Sequence, residues 1–493
     1  MNLRNISHLQ RFLTRIFSTN SKIKPKFDFK LFDDTGEAIK QGSLKPRNHA
    51  GSLSIGTVTL PDKLTDAATL AFAEYPEKNL KNDAKKLTSY LWSRHPPLEV
   101  DEYKEKLKEV EEIIRQQEKF DPMSPEVVEE DRRRLLDSRR SKVYEKMKRE
   151  TYNWRPIIYD KYKSSVYAVA RMAPDFASLV RILNEIKKRD SQFSPRNMLD
   201  FGSGVGTSMW VVDKIWPGSC KEAVCVDASG DMNDLADLLL RGGDISNPLH
   251  VREGGTFFKQ FLPMSDTHKY DLVLSSRTLF ELPDMASRLR TIDILWRKTS
   301  GYLIIVEAGT KAGYRLVLEA RDYVLELSRR AYEEGESNPQ GYVFAPCSHD
   351  KFCPIFFHSS DAHCNFSVSY KPYAFGREQN IQKDVFSYVV LKRGNRDDTE
   401  VQWPRVVRLP IHSKKHIICR TCTRYGTFQE LTATKRRQGN VCYKVFKKTS
   451  WGDLLPIELP EPEPIQTPGV EVLQVESDEG SSDTVNKTED LEA

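Results

Sequence analysis

The segment NMLDFGSGVGT, residues 197–207, constrains the fold more than any other stretch of this chain. An apolar run ends at Asp200, Gly202, Gly204 and Gly206 follow at alternate positions, and SMWVVDKIW then takes a helical pattern. Glycines at such a turn let backbone approach a ligand and set a helix N-terminus beside it. Three further short apolar runs, EAVCVDAS, YDLVLSS and GYLIIVEAG, come later with helical stretches between them. Continuous apolar runs that alternate with helices predict buried parallel strands of an α/β domain. Upstream, YKSSVYAVARMAPDFASLVRILNEIKKR predicts two amphipathic helical stretches broken at Pro174. Downstream, FSYVVLK, RVVRLP and HIICRTC are rich in β-formers and predict a small antiparallel appendage over residues 365–450. Residues 28–95 show no clear period.

A dinucleotide fold uses a related glycine turn, but here the third glycine comes one residue early. The order acid-x-G-x-G-x-G instead resembles the first motif of S-adenosylmethionine-dependent methyltransferases. Asp200, Gly202, Ser203, Gly204 and Gly206 are therefore the candidate cofactor contacts. Asp227, at the end of the second strand, is placed to accept hydrogen bonds from ribose hydroxyls. The plainer alternative is a glycine loop in an α/β domain that binds nothing. No catalytic residue is assigned. The fourth strand reads YDLVLSSRTLFELP, where amino-methylating enzymes present an acid or Asn followed by Pro-Pro-aromatic. A Pro-Cys dipeptide for covalent attack on cytosine is missing as well. Cys225 falls inside a strand and is read as packed.

Cysteines supply the second constellation. Cys347, Cys353 and Cys364 fall within eighteen residues, and Cys419 and Cys422 form a later C-x2-C pair. Eight cysteines in 493 residues are too few for a disulfide scaffold, so metal or redox use is expected. Only the later pair has the knuckle spacing of a zinc ribbon, and the uneven spacing suits an iron–sulfur cluster held by four thiolates at least as well. His349, Asp350, His358 and His363 are further candidate ligands, or else plain polar loop residues. Cys220 and Cys442 have no partner pattern.

The ends of the chain differ in charge. MNLRNISHLQRFLTRIFSTNSKIKPKF sets Leu3, Ile6, Leu9, Leu13, Ile16 and Phe17 near helical spacing among six Arg and Lys and no acid, the basic amphipathic pattern of a mitochondrial presequence over residues 1–25. From Glu458 onward eleven acids face the single Lys487, so the overall +5 resolves into +15 for residues 1–457 and −10 for an acidic tail. A body that basic suits RNA or another polyanion. The charged stretch EEDRRRLLDSRRSKVYEKMKRE is the first candidate for phosphate contact, with a solvated helix face as the alternative. No run approaches the ~20 apolar residues that span a bilayer, so no membrane segment is expected.

Seven ordered motifs over residues 155–455 add a resemblance: YAVARMAPDFASLVRILNEIKKR, LDFGSGVGT, SSRTLFELP, IVEAGTKAGYRLVLEAR, CSHDKFCP with HCNF, FSYVVLKRG and SWGDLLP. Together they are similar to the mitochondrial family of methyltransferase-like protein 17, related to the Rsm-type proteins of the yeast small ribosomal subunit. The resemblance implies a Rossmann-like class I S-adenosylmethionine-dependent methyltransferase fold. A helical N-terminal region would precede it, and a small cysteine-rich, β-containing C-terminal appendage would follow. It implies a [4Fe–4S] cluster on Cys347, Cys353, Cys364 and Cys422, with Cys419 left as a rival fourth ligand. It implies S-adenosylmethionine bound but not turned over. It also implies a monomer in the mitochondrial matrix that helps assemble the small ribosomal subunit, touching its rRNA and proteins. The expected map is a presequence at 1–25, a charged helical region at 26–155, a methyltransferase-like domain at 156–345, the iron–sulfur appendage at 346–456 and a disordered acidic tail at 457–493. An active rRNA methyltransferase is the second expectation, and a small-molecule methyltransferase with a zinc site the third.

Overall fold

The computed structural model describes residues 29–118, 123–124, 127–150, 156–248, 252–265, 267–333, 335, 341–358, 363–375, 380–397 and 400–461. The basic leader lies outside the described residues, as does the acidic tail beyond Glu461. Short helices α1 (Asp33–Lys40) and α2 (Asp62–Ala71) lead into α3 (Glu77–Ser93), in the region that lacks a clear sequence period. Next come α4 (Val100–Gln117) and α5 (Glu129–Glu150), which form a hairpin closed by its own small core of Val110, Ile114, Val143 and Met147.

Helix α6 (Lys161–Arg189) runs unbroken through Pro174, contrary to the expected break. A proline inside a helix costs ~3 kcal/mol. Here almost every residue from Met172 to Ile186 is buried, and that packing holds the helix together. The turn after β1 (Asn197–Phe201) opens α7 (Thr207–Ile215); β2 (Glu222–Val226) is followed by α8 (Gly230–Leu240). Then come β3 (Gly255–Lys259), β4 (Tyr270–Ser276), α9 (Met285–Lys298), β5 (Thr299–Ala308), α10 (Lys311–Glu333), β6 (Gly341–Ala345), α11 (Pro354–His358), β7 (Phe366–Tyr370) and β8 (Gln382–Arg393).

These strands make one sheet. Strands β3, β2, β1, β4 and β5 are parallel neighbours in that order. Strand β8 pairs antiparallel with β5, and β6 and β7 pair antiparallel with β8. Tyr342 sits opposite Lys392 and Ser369 opposite Lys383, so β6 and β7 lie end to end along one edge of β8. The sheet's last strand is thus interrupted, and residues 346–365 are the interruption. Apolar clusters fill both faces, one built around Phe176, Leu272 and Ile304, the other around Val273, Leu295 and Ile305.

The appendage is a hairpin of β9 (His416–Cys422) and β10 (Phe428–Thr434), widened by Arg405–Val406 and Ile411–His412. Helix α12 (Lys435–Lys448) covers it. Lys30–Leu31 pairs with Ile457–Glu458, and Asp453 accepts from the Leu53 and Ser54 amides at 2.7 and 3.0 Å, so residues 29–54 pack on the appendage. Among the described residues no helix is long and apolar enough to cross a membrane.

Candidate functional site: a glycine cradle and a thiol cluster

The glycine turn crosses the carboxyl ends of β1 and β2, and all three of its glycines take positive φ, between 51° and 73°. A Cβ on Gly202 would lie 2.0 Å from Thr278 Oγ1, so the turn closes only with glycine there. Gly202 and Ser203 donate their amides to Val226 O at 2.7 and 3.1 Å, which seats the turn on the end of β2. Gly204 donates to Asp227 Oδ2 at 2.9 Å, and the Ser229 amide donates to Oδ1 at 3.0 Å. Burial raises the pKa of Asp227, and these two amides draw it back down. Each carboxylate oxygen keeps lone pairs for a ribose hydroxyl. Asp200 is fully buried, accepts from Ser208 Oγ, and is pushed up to about 7 by that burial. Asp200 therefore faces inward as a support of the turn, while Asp227 stands at its mouth. The Ser203 hydroxyl is buried with no hydrogen-bond partner among the described residues, and with the open glycine backbone it fits a polar ligand. The turn thus fits S-adenosylmethionine.

At the end of β4 stands Arg277, one of two described non-glycine residues with positive φ, at 62°. Its guanidinium meets Asp384 of β8 at 2.7 Å and Asp175 of α6 at 3.2 Å. Arg171, one turn before Asp175, pairs with the same two carboxylates. Two cations and two anions close on each other, and Tyr167 adds a hydrogen bond to Asp175 at 3.3 Å. Glu281 beyond the strand is bound by Arg94 from the end of α3. The hydroxyls of Ser275 and Ser276 are buried without a hydrogen-bond partner among the described residues. Sequence reasoning missed Arg277 because its partners lie 102 and 107 residues away.

The interrupted sheet edge brings the cysteines together. Cys347 follows β6, Cys353 precedes α11, Cys364 precedes β7, and Cys422 ends β9. Cys422 lies within electrostatic reach of the other three thiols, and all three raise its pKa beyond what burial does. Cys364 is raised in the same way, and burial pushes Cys347 up to about 11 against the pull of Arg321. Tyr314 of α10 donates to Cys353 Sγ at 3.2 Å, and His349 Nε2 lies 3.2 Å from Cys422 Sγ. Buried Arg321 holds the loop by donating to the carbonyls of His349 and Lys351 at 3.1 and 2.6 Å. Cys419, three residues before Cys422 on the same strand, points to the opposite face, where it is buried in the appendage core near Cys442. Asp350 is taken up by Arg396 at 2.9 Å and by the Val343 amide. His363 precedes Cys364, and the His358 side chain lies outside the described residues. Among the described residues no three metal-binding side chains close on a point as a single ion requires. Two of the four thiols, Cys347 and Cys364, are half-buried and two are buried, and four thiols within electrostatic reach are the donor set that a cubane would take, where a cationic centre would offset their mutual repulsion.

The strand order β3-β2-β1-β4-β5-β8-β6, with its single reversed strand, and the glycine turn after β1 define a methyltransferase-like fold of class I. The family model described as mitochondrial small ribosomal subunit Rsm22 matches residues 161–456, and the chain belongs to that family. It is 35% identical over 422 residues to the human ribosome assembly protein METTL17, mitochondrial, covering 85% of this chain and 88% of that protein. It is 19% identical to the ribosome assembly protein RSM22, mitochondrial, of Saccharomyces cerevisiae, over 57% of this chain and 65% of that one. Among solved structures, magnesium protoporphyrin IX methyltransferase from Synechocystis, with bound S-adenosylmethionine, overlaps 55% of this chain and 100% of its own at 14% identity and a TM-score of 0.26. An overlap that low carries no weight, and the class rests on the strand order.

Proposed function

We propose that the chain is an assembly factor of the mitochondrial small ribosomal subunit. It works in the matrix as a monomer on the ribosome precursor, against rRNA and proteins. It holds S-adenosylmethionine without turning it over, and a [4Fe–4S] cluster on Cys347, Cys353, Cys364 and Cys422. Kinship along most of the chain with a mitochondrial protein named for ribosome assembly supports the setting.

The observation that carries the non-enzymatic part is Arg277. S-adenosylmethionine supplies an electrophilic methyl group wherever it binds, so transfer depends on what the chain sets beside it. At the strand end where amino-methylating enzymes hold their nucleophile, this chain sets a cation neutralised by Asp175 and Asp384. The residues left to act are binding residues: the glycine backbone, Ser203 and Asp227. For the metal, what supports the reading is that Cys347, Cys353 and Cys364 lie within electrostatic reach of Cys422, a thiol set of the kind an iron–sulfur cluster takes.

A second reading, an active rRNA methyltransferase, draws on the unpartnered hydroxyls of Ser275 and Ser276 at the same strand end. A rescue experiment in cells lacking the protein separates the two. Gly204→Glu forces a side chain onto a φ of 51° and sets a carboxylate beside Asp227, closing the cradle. Failed subunit assembly with rRNA methylation unchanged supports the assembly factor. Loss of one specific methyl mark from otherwise mature subunits would establish the enzyme instead.

A further inference from the structure

The charged helix α5, the first candidate for phosphate contact, is largely neutralised from within. Arg132 pairs with Glu129 at 2.9 Å, Arg134 with Glu130 at 3.4 Å and Arg140 with Asp137 at 3.8 Å, while Arg139 pairs across the hairpin with Glu118. Helix α12, KRRQGNVCYKVFKK, is built differently. Cys442, Tyr443, Val445 and Phe446 are buried beneath it. Lys435, Arg436, Arg437, Lys444, Lys447 and Lys448 are all exposed, and the helix has no acid. None of the six has an ion-pair partner among the described residues. Lys444, Lys447 and Lys448 share one turn at i, i+3 and i+4, where like charges repel by a few tenths of a kcal/mol per pair (~0.2–0.5). A helix that keeps six uncompensated cations bears that repulsion until an anion arrives.

We propose that this face of α12 docks the phosphodiester backbone of RNA. The inference rests on the rRNA reading above and gives it a place on the molecule. Charge density picks the partner. The backbone is not helical at Gly439, so the cations fall in two groups of three, Lys435–Arg437 and Lys444–Lys448, and each group sets three charges within five residues or fewer, a density that suits a nucleic-acid strand with a charge every ~3.4 Å. Residues 462–493 offer nine acids in 32 residues, or one per ~12 Å of extended chain, a far poorer match. The face offers cations to phosphate and no base-reading group, so it positions RNA without reading its sequence.

The test measures binding of a labelled transcript of mitochondrial small-subunit rRNA to the full chain across a salt series. A variant carrying Arg436→Gln, Arg437→Gln, Lys444→Gln and Lys447→Gln is compared with an α5 control carrying Arg133→Gln, Lys142→Gln and Lys148→Gln. All seven positions are exposed, and a thermal melt confirms that both variants fold. The α12 variant should bind roughly tenfold or more weakly, with a salt slope lower by ~3, at 0.7–0.9 per lost phosphate contact. The α5 control should stay near wild type. An unchanged slope in the α12 variant overturns the inference. So does equal binding by wild type and variant once residues 462–493 are deleted, which would give the face to the acidic tail. A wild-type chain that binds no rRNA would overturn the rRNA reading itself, and this inference with it.

Discussion

Replacing Glu185 by Gln should cost this protein about 3 kcal/mol at neutral pH. Glu185 of α6 is 1% exposed, and its carboxylate is reached by three guanidiniums. Arg405 bonds both of its oxygens, Arg189 lies at 3.0 Å and Arg181 at 3.4 Å, and Tyr388 donates at 3.0 Å. Burial alone would raise its pKa, but the three cations outweigh burial and hold it at about 2, against 4.5 in an open chain. At ~1.4 kcal/mol per unit, that difference is worth ~3 kcal/mol. Removing one partner from a buried ion pair costs ~3–5 kcal/mol, the same magnitude reached independently. Because the folded pKa lies below the unfolded one, the contribution is complete above pH ~4.5 and is lost as the pH falls toward 2. Urea titrations of wild type and Glu185→Gln at pH 7 and pH 3 measure it. The gap between the two proteins should be widest at pH 7 and clearly narrower at pH 3. Equal stability at pH 7, or a gap of the same size at both, refutes the reasoning. Arg405 also donates to Pro346 O at 2.8 Å, next to Cys347, so the variant should lose iron more readily to a chelator.

Cys422→Ser should abolish iron and acid-labile sulfide, about four of each per chain in anaerobically purified wild type, whereas Cys419→Ser should keep both. Iron and sulfide assays with zinc analysis check this pair, and stoichiometric zinc without sulfide would replace the cluster with a metal knuckle. Asp200→Asn should remove a pH dependence of the opposite sign to that of Glu185. The Asp200 pKa is raised to about 7 from 3.8, so wild type loses stability as the pH rises from about 4 to 7. The variant should be as stable as wild type near pH 4 and more stable at pH 7.5, read by thermal melts at both.

The parallel strands were legible because burial on both faces leaves continuous apolar runs, as in YDLVLSS and GYLIIVEAG. Strand β3 escaped notice because it is an edge: Phe257 is 44% exposed, and GTFFK reads as a loop. Helix α6 was legible except for its continuity, since tertiary packing, not propensity, carries it past Pro174. The glycine turn and Asp227 could be placed because a tight turn after a strand is written locally in backbone and spacing. The Asp175, Arg277 and Asp384 network could not, since it joins α6, a strand end and β8 across more than a hundred residues of chain. The two thiols of CRTC are equivalent as a motif. Only their position on a strand, three residues apart and so on opposite faces, distinguishes Cys422 from Cys419.

The interrupted edge also orders the events of folding. Strand β8 enters between β5 and β6, so the sheet stays open until residues through Arg393 have joined it. Pairing between strands so distant in sequence is slow compared with helix formation. By then Cys347, Cys353 and Cys364 are in place, yet Cys422 belongs to β9, the first strand of the hairpin that follows. A chain that closes the sheet before the appendage would gather three of the thiols without the fourth. If the four thiols hold the proposed cluster, its loading would wait on the appendage, and a chain cut before Cys422 could not retain it.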